Sequence, residues 1–257
     1  MKIYFSKQSD SVYNLEPLPW HTRSLRFTPI GGQDTSKPIP YNPSDPISQQ
    51  ITKSFQVSLA NLHTTYIDSY LLHSPLPTIE QTLEAWRTLI KLQDEGKVRM
   101  IGLSNTYDVR ILAALQKARK VQVVQNRWYE GNQWDRQVLN YCREHEIIYQ
   151  LRVAVAVVFW FLGTEWERRS FWTLSGSPSL VGHPAITRIA NASGLTAEQT
   201  VYRFAQLNGV IPLSGTTNED HMRQDVDVEK RSLKEEGLES SWAVVKQIIG
   251  QWKRNFI

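Results

Sequence analysis

Cysteine occurs once in 257 residues, as Cys142, which excludes an internal disulfide and leaves no CxxC metal site. In the amphipathic stretch "VLNYCREH" it reads as a buried helix position rather than a nucleophile. Long apolar runs are missing as well. The longest, Val153 to Leu162, has ten residues, well short of the roughly 18 that a membrane helix needs. The opening "MKIYFSKQSDSVYNLEPLP" has no apolar core of signal-peptide length, so a cytoplasmic protein with no membrane partner is expected. No block of five or six like charges occurs and the net charge is only +4, so nucleic acid is not an expected partner. A phosphorylated cofactor or an acidic metabolite suits this mild excess of positive charge. No metal is expected, and no G-x-G-x-x-G follows a strand, which weighs against a Rossmann domain.

What is present is alternation. Ile47, Ile51, Phe55, Leu59 and Leu62 fall at helical spacing over residues 46–62, and Tyr66 to Leu72 reads as a buried strand. Thr78 and Gln81 form a capping-box pattern ahead of a helix that lines up Ile79, Leu83, Trp86, Leu89 and Leu92, with Gly96 as its stop. "VRMIGLS" predicts a strand, "YDVRILAALQKA" a helix, "VQVVQN" a strand, and "WDRQVLNYCREH" a helix leading into the strand "IIYQ". Farther on, "HPAITRIANAS" predicts a helix, Thr196 and Gln199 cap another, "GVIPLSG" is a short strand, and a last helical region covers roughly 232–250. Repeated β-then-α units with short links imply a parallel sheet, and this number of units favours a (β/α) barrel over a doubly wound sheet. A chain of this length is expected to form one domain, 1–257.

In such a barrel the functional residues sit at the C-terminal ends of the strands. That rule selects His73, Ser104, Asn105, Gln125 and the stretch after "GVIPLSG". Ser104 and Asn105 also have a plainer reading, as a turn and helix cap.

Five segments then carry a resemblance: "SLANLHTTYIDSYLLHSP", "LIKLQDEGKVRMIGLSN", "VVQNRWYEGN", "FWTLSGSP" and "GVIPLSGTTNEDHMRQD". In this order, over about 24–226, the chain resembles the aldo-keto reductase family of NAD(P)H-dependent carbonyl reductases built on a (β/α)8 barrel. The resemblance implies NADP as cofactor, with NAD as the alternative, and a small carbonyl substrate. It puts His73 where the family orients the substrate carbonyl, and Ser104, Asn105 and Gln125 where it holds the nicotinamide carboxamide. Phe171 matches the aromatic that stacks on the nicotinamide, although Phe171 and Trp172 also read as plain core. Ser214, Gly215, Thr216, His221, Gln224 and Asp225 match the loop and helix start that take the adenosine phosphate. Each role has chemical support: an amide offers donor and acceptor to a carboxamide, an aromatic face covers a flat ring, and a helix N-terminus favours phosphate.

The departures from the family are equally specific. Its aspartate and tyrosine belong to a segment upstream of its T-K strand, and no matching segment precedes residue 24. Asp10 and Tyr13 have the wrong spacing and lie in a polar stretch assigned no strand. The barrel is therefore expected to be incomplete at its N-terminus, with the first strands absent. Arg26, in "SLRFTPIGGQ", falls at the family's lysine position, and Leu213 and His221 replace two cations of the cofactor loop. Residues 151–169, "LRVAVAVVFWFLGTEWERR", interrupt family text that would otherwise join "IIYQ" to "SFWTLSGSP", and read as a translated intron or gene-model error, with a genuine lineage insertion as the alternative. Two functions lead on this reading, ahead of a third, a phosphate-binding metabolic barrel of another family, which "GVIPLSGTT" alone would suit. One is a carbonyl-reducing oxidoreductase of low or no activity in this chain, and the other is a noncatalytic barrel fragment that binds a nucleotide or a protein partner.

Overall fold

The computed structural model describes residues 4–5, 24–152, 177–214, 223 and 227–250. The chain divides into two compact units, one built from residues 22–126 and 137–148, the other from 1–21, 127–136 and 149–257. The first unit carries four strands: β2 (Ser24–Phe27), β3 (Ile67–Leu72), β4 (Val98–Ser104) and β5 (Val123–Asn126). They run parallel and in sequence order, with Phe27 opposite Leu72, Leu72 opposite Leu103, and Ser104 opposite Gln125. Helices α1 (Ile47–Asn61), α2 (Ile79–Asp94) and α3 (Val109–Gln116) link them, and most of α4 (Arg136–Glu144) follows β5.

β3 is buried along its whole length, as expected for a strand covered on both faces. Its Tyr70 packs edge-on against Phe55 of α1, with ring centroids 5.1 Å apart. Trp86 and Leu89 of α2 are fully buried beside α1 and β4, at the helical spacing that the sequence shows. Thr78 caps α2 by accepting from Gln81 N at 3.2 Å, and Gly96 supplies the left-handed turn after it (φ 70°). Gly102 is needed for a different reason. A methyl on its Cα would stand 1.9 Å from the carbonyl oxygen of Val123 on the adjoining strand, so β4 and β5 pair in this register only without a side chain there.

The second unit holds β6 (Ile148–Arg152) and β7 (Val210–Ser214), paired parallel with Leu151 opposite Pro212. Pro212 lacks the N–H that a fully paired strand uses, so β7 is hydrogen-bonded around it. Tyr4–Phe5, a short β1 where the sequence suggested none, pairs antiparallel with Leu213 and Ser214. Helices α5 (Pro178–Val181), α6 (Pro184–Ser193), α7 (Ala197–Leu207) and α8 (Glu239–Ile249) pack around Ile186, Ile189, Val201, Phe204 and Trp242. The Thr196–Gln199 capping box is formed in both directions, at 3.1 Å each way.

Two helix boundaries differ from expectation. The helix predicted from Trp134 begins at Arg136, because Gln133, Trp134 and Asp135 adopt left-handed φ values of 54°, 61° and 45°. The last helix begins at Glu239 rather than near 232: Gly237 is left-handed (φ 75°), and Lys234 instead accepts a bond from Trp242 Nε1 and donates one to Ser193 Oγ. Among the described residues, six parallel strands linked through helices make an α/β arrangement, as the alternation indicated. The inserted segment lies outside the described residues, apart from the end of β6. Among the described residues, no helix is long and apolar enough to cross a membrane.

Gly102→Ala is expected to cost about 3 kcal/mol, at the upper end of typical overpacking penalties, and to lower the denaturant midpoint without changing the unfolding slope. A second test concerns Asp108, which caps α3 by accepting from Arg110 N at 2.8 Å. The Arg110 side chain, and then its backbone N–H, hold the Asp108 carboxyl below the usual carboxylate range. A carboxyl lowered in the folded state stabilises above its unfolded pKa of about 3.9 and loses that contribution as pH falls through the folded value. Asp108→Ala should therefore lower the Tm at neutral pH, and the gap from the parent protein should close in strong acid.

Candidate functional site

The C-terminal ends of β2 to β5 are joined by a closed circuit of hydrogen bonds. His73 N, just past β3, donates to Phe27 O at the end of β2 at 2.9 Å. His73 O accepts from Asn105 Nδ2 at 2.7 Å, which ties the ends of β3 and β4 together. Asn105 N donates to Gln125 O on β5 at 3.1 Å. Gln125 Oε1 then accepts from Arg26 Nη1 at 3.1 Å, returning the circuit to β2.

Arg26 is level with Leu71, Gly102 and Val123 across the four strands, so Gln125, two residues beyond Val123, extends from the same face of the sheet. The Arg26–Gln125 bond spans that face from β2 to β5, at the strand ends where a parallel barrel carries its function.

The residues selected from sequence are sorted by this geometry. Arg26, His73, Ser104, Asn105 and Gln125 share one end of one unit. Ser104 is buried, and its hydroxyl accepts a long bond of 3.4 Å from Asn105 Nδ2. The capping reading of Ser104 and Asn105 does not hold, because the cap of α3 is Asp108. Asn105 is instead a left-handed residue (φ 49°), a conformation that asparagine tolerates better than most side chains. Ser214 ends β7 in the other unit. Phe171, Gly215, Thr216, His221, Gln224 and Asp225 lie outside the described residues, as do Asp10 and Tyr13.

The segment after β2 closes over His73. A 3-10 turn, Ile30–Gly32, places Gly32 so near the imidazole that an added methyl would stand 3.3 Å from His73 Nδ1 and 2.9 Å from Thr28 Cγ2. Tyr41 OH and Gln33 Nε2 both donate to Thr28 O, at 2.7 and 2.8 Å, and the Tyr41 ring packs on Phe27 with centroids 5.4 Å apart. Burial pushes the Tyr41 phenol above its usual range, against the opposing effect of a Gln33 hydrogen bond, so it remains a neutral donor to the backbone.

Sequence reasoning missed Asn126. Its buried side chain accepts from Thr106 N at 2.9 Å and donates to Thr106 O at 2.6 Å, while Thr106 Oγ1 donates to Ser104 O at 3.1 Å. An asparagine closing a strand ordinarily signals a turn, so only the "VVQN" pairing with "GLSNT" in space exposes this grip.

The model of the aldo/keto reductase family matches residues 35–244. The chain belongs to that family. An aldo-keto reductase of Mycobacterium sp. (strain JLS) is 27% identical over 188 residues, covering 73% of this chain and 60% of the relative. Glyoxal reductase of Bacillus subtilis (strain 168) is 24% identical, over 75% of this chain and 62% of the relative. The chain thus spans about 60% of the length of these curated relatives. Among solved structures, the aldo/keto reductase of Brucella melitensis superposes with a TM-score of 0.61 at 22% identity, covering 78% of this chain and 68% of that one. A Gox0644 mutant in complex with NADPH gives 0.66 at 20% identity, over 90% and 71% of the two chains. Likeness at this level of identity shows the fold, which is the (β/α)8-barrel type of α/β architecture.

Gly32→Ala should displace the imidazole, shifting the His73 side-chain NMR resonances and lowering the Tm. Gly31→Ala, where an added methyl meets nothing within 4 Å, should leave both unchanged.

Proposed function

We propose that this chain binds NADP(H), with NAD(H) as the alternative, and acts as an aldo-keto reductase-type oxidoreductase on a small aldehyde or ketone. The observation that carries the reading is the circuit joining Arg26, His73, Asn105 and Gln125 at adjoining strand ends. The residues present suit the nicotinamide end of such a cofactor. A buried serine hydroxyl and two amide side chains at neighbouring positions supply the donors and acceptors that a carboxamide requires. When bound, the nicotinamide would supply the hydride to the carbonyl carbon, and the resulting alkoxide oxygen would take its proton from water, since none of the assigned residues is a proton donor to it. His73 orients the substrate carbonyl by hydrogen bonding, held in place through its own backbone N–H and C=O. Phe171 is assigned to the nicotinamide face. Ser214, Gly215, Thr216, His221, Gln224 and Asp225 are assigned to the adenosine phosphate; these seven assignments rest on the family resemblance.

One observation favours a second reading, a barrel that binds nucleotide without turning it over. Arg26 stands at the family's lysine position and directs a guanidinium N–H to Gln125 Oε1. Guanidinium stays charged at all working pH and is a forked, bulkier group than ammonium, so it does not replace the ammonium group one for one in a tight hydrogen-bonded site.

Titration with NADPH and NADH, followed by quenching of tryptophan fluorescence, combined with NADPH oxidation over a panel of aldehydes, separates the readings. Saturable quenching with slow aldehyde-dependent oxidation is the expected result. Quenching with no oxidation selects the noncatalytic barrel. No quenching by either nucleotide rules out both.

A further inference from the structure

Asn126 follows Gln125 on β5, so the two side chains leave opposite faces of the strand. Gln125 extends toward Arg26, while Asn126 is enclosed at 1% exposure and grips the chain that leaves β4. The last main-chain rung between these strands is Asn105 N to Gln125 O. Beyond it the left-handed turn at Asn105 carries Thr106 away from the ladder, which would leave a fully buried peptide N–H and C=O to be satisfied. The Asn126 amide satisfies both, accepting from Thr106 N at 2.9 Å and donating to Thr106 O at 2.6 Å, and so takes the place of one more residue of strand. Only a side chain with a donor and an acceptor on one planar group at this reach can do so.

We propose that Asn126 is a positioning residue: by clamping Thr106 it holds Asn105 in its left-handed conformation, and through Asn105 it sets the backbone of His73 and the amide surface of the site. Thr106 is gripped on one side of the turn, and Asn105 reaches His73 O on the other. With the clamp released, the turn at Asn105 is free to relax toward ordinary right-handed or extended values, and Nδ2 moves off His73 O.

The direct test is amide hydrogen exchange by NMR on the full chain, which requires no cofactor. In Asn126→Leu, similar in size but lacking both polar atoms, protection at Asn105 N–H should fall at least tenfold, although that amide is bonded to Gln125 and not to Asn126. Protection at Ile101 should be unchanged. Asn126→Ala, which lacks both polar atoms and does not overfill the site, should lose protection at the same amide. Wild-type protection of Asn105 in a folded Asn126→Leu would overturn the proposal. If that variant does not fold, Asn126→Ala decides it: unaltered protection there would also overturn it.

A second arm rests on the oxidoreductase reading. NADPH affinity should weaken about tenfold in Asn126→Ala, while affinity for adenosine 2′,5′-bisphosphate, which has no nicotinamide, stays at the parent value. Equal weakening of both ligands would count against a local role for Asn126. A parent protein that binds neither ligand would sink the functional reading alone and leave the exchange result to decide on Asn126.

Discussion

Four parallel strands present their ends to one another, and at those ends each main chain has to stop pairing while remaining aligned with its neighbours. The circuit from Phe27 through His73, Asn105 and Gln125 back to Arg26 meets this requirement. Two of its links are continuations of the sheet ladder, one is a side chain reaching a carbonyl, and one joins two side chains across the sheet face. Because the links are in series, the position of each polar group depends on the others. The site is therefore a property of the sheet's termination and not of any single loop.

Burial strengthens this dependence. Ser104, Thr106, Gln125 and Asn126 are all nearly excluded from solvent, and polar groups in that setting are costly when left unpaired. Loss of one partner leaves another group unsatisfied, so the arrangement is cooperative in the way that fully connected polar networks are. The same reasoning explains why Gly32 and Gly102 are small. One allows the segment after β2 to lie against His73, and the other lets β4 approach β5 in the register that sets Ser104 beside Gln125.

Local features of the chain were readable in advance where the physics is local. β3 stood out as a buried run and β4 as a strand, the caps at Thr78 and Thr196 lay at the spacing their hydrogen bonds require, and alternation announced the α/β class. The family emerged from segments such as "DEGKVRMIGLSN", and the matched region bears it out. Other features were hidden because their causes are distant or conformational. Arg26 and Gln125 are 99 positions apart, so nothing local marks them as partners. Asn126 looks like an ordinary strand end until Thr106 is brought beside it. The stretch before Arg136 contains apolar and polar residues in helical order, and without a glycine in its last three positions nothing flags the reversal of handedness there.

That reversal has a consequence of its own. Gln133, Trp134 and Asp135 form three consecutive left-handed residues, each with a Cβ that disfavours this geometry, and the turn they make delivers Asp135 Oδ2 to Tyr149 OH at 2.7 Å and Trp134 to within 4.7 Å of Trp128. A segment bent against its intrinsic preference is held by its anchors, in the manner of a drawn bow held by its string. Its shape is thus set by the Tyr149 phenol that Asp135 meets and the Trp128 indole that Trp134 meets.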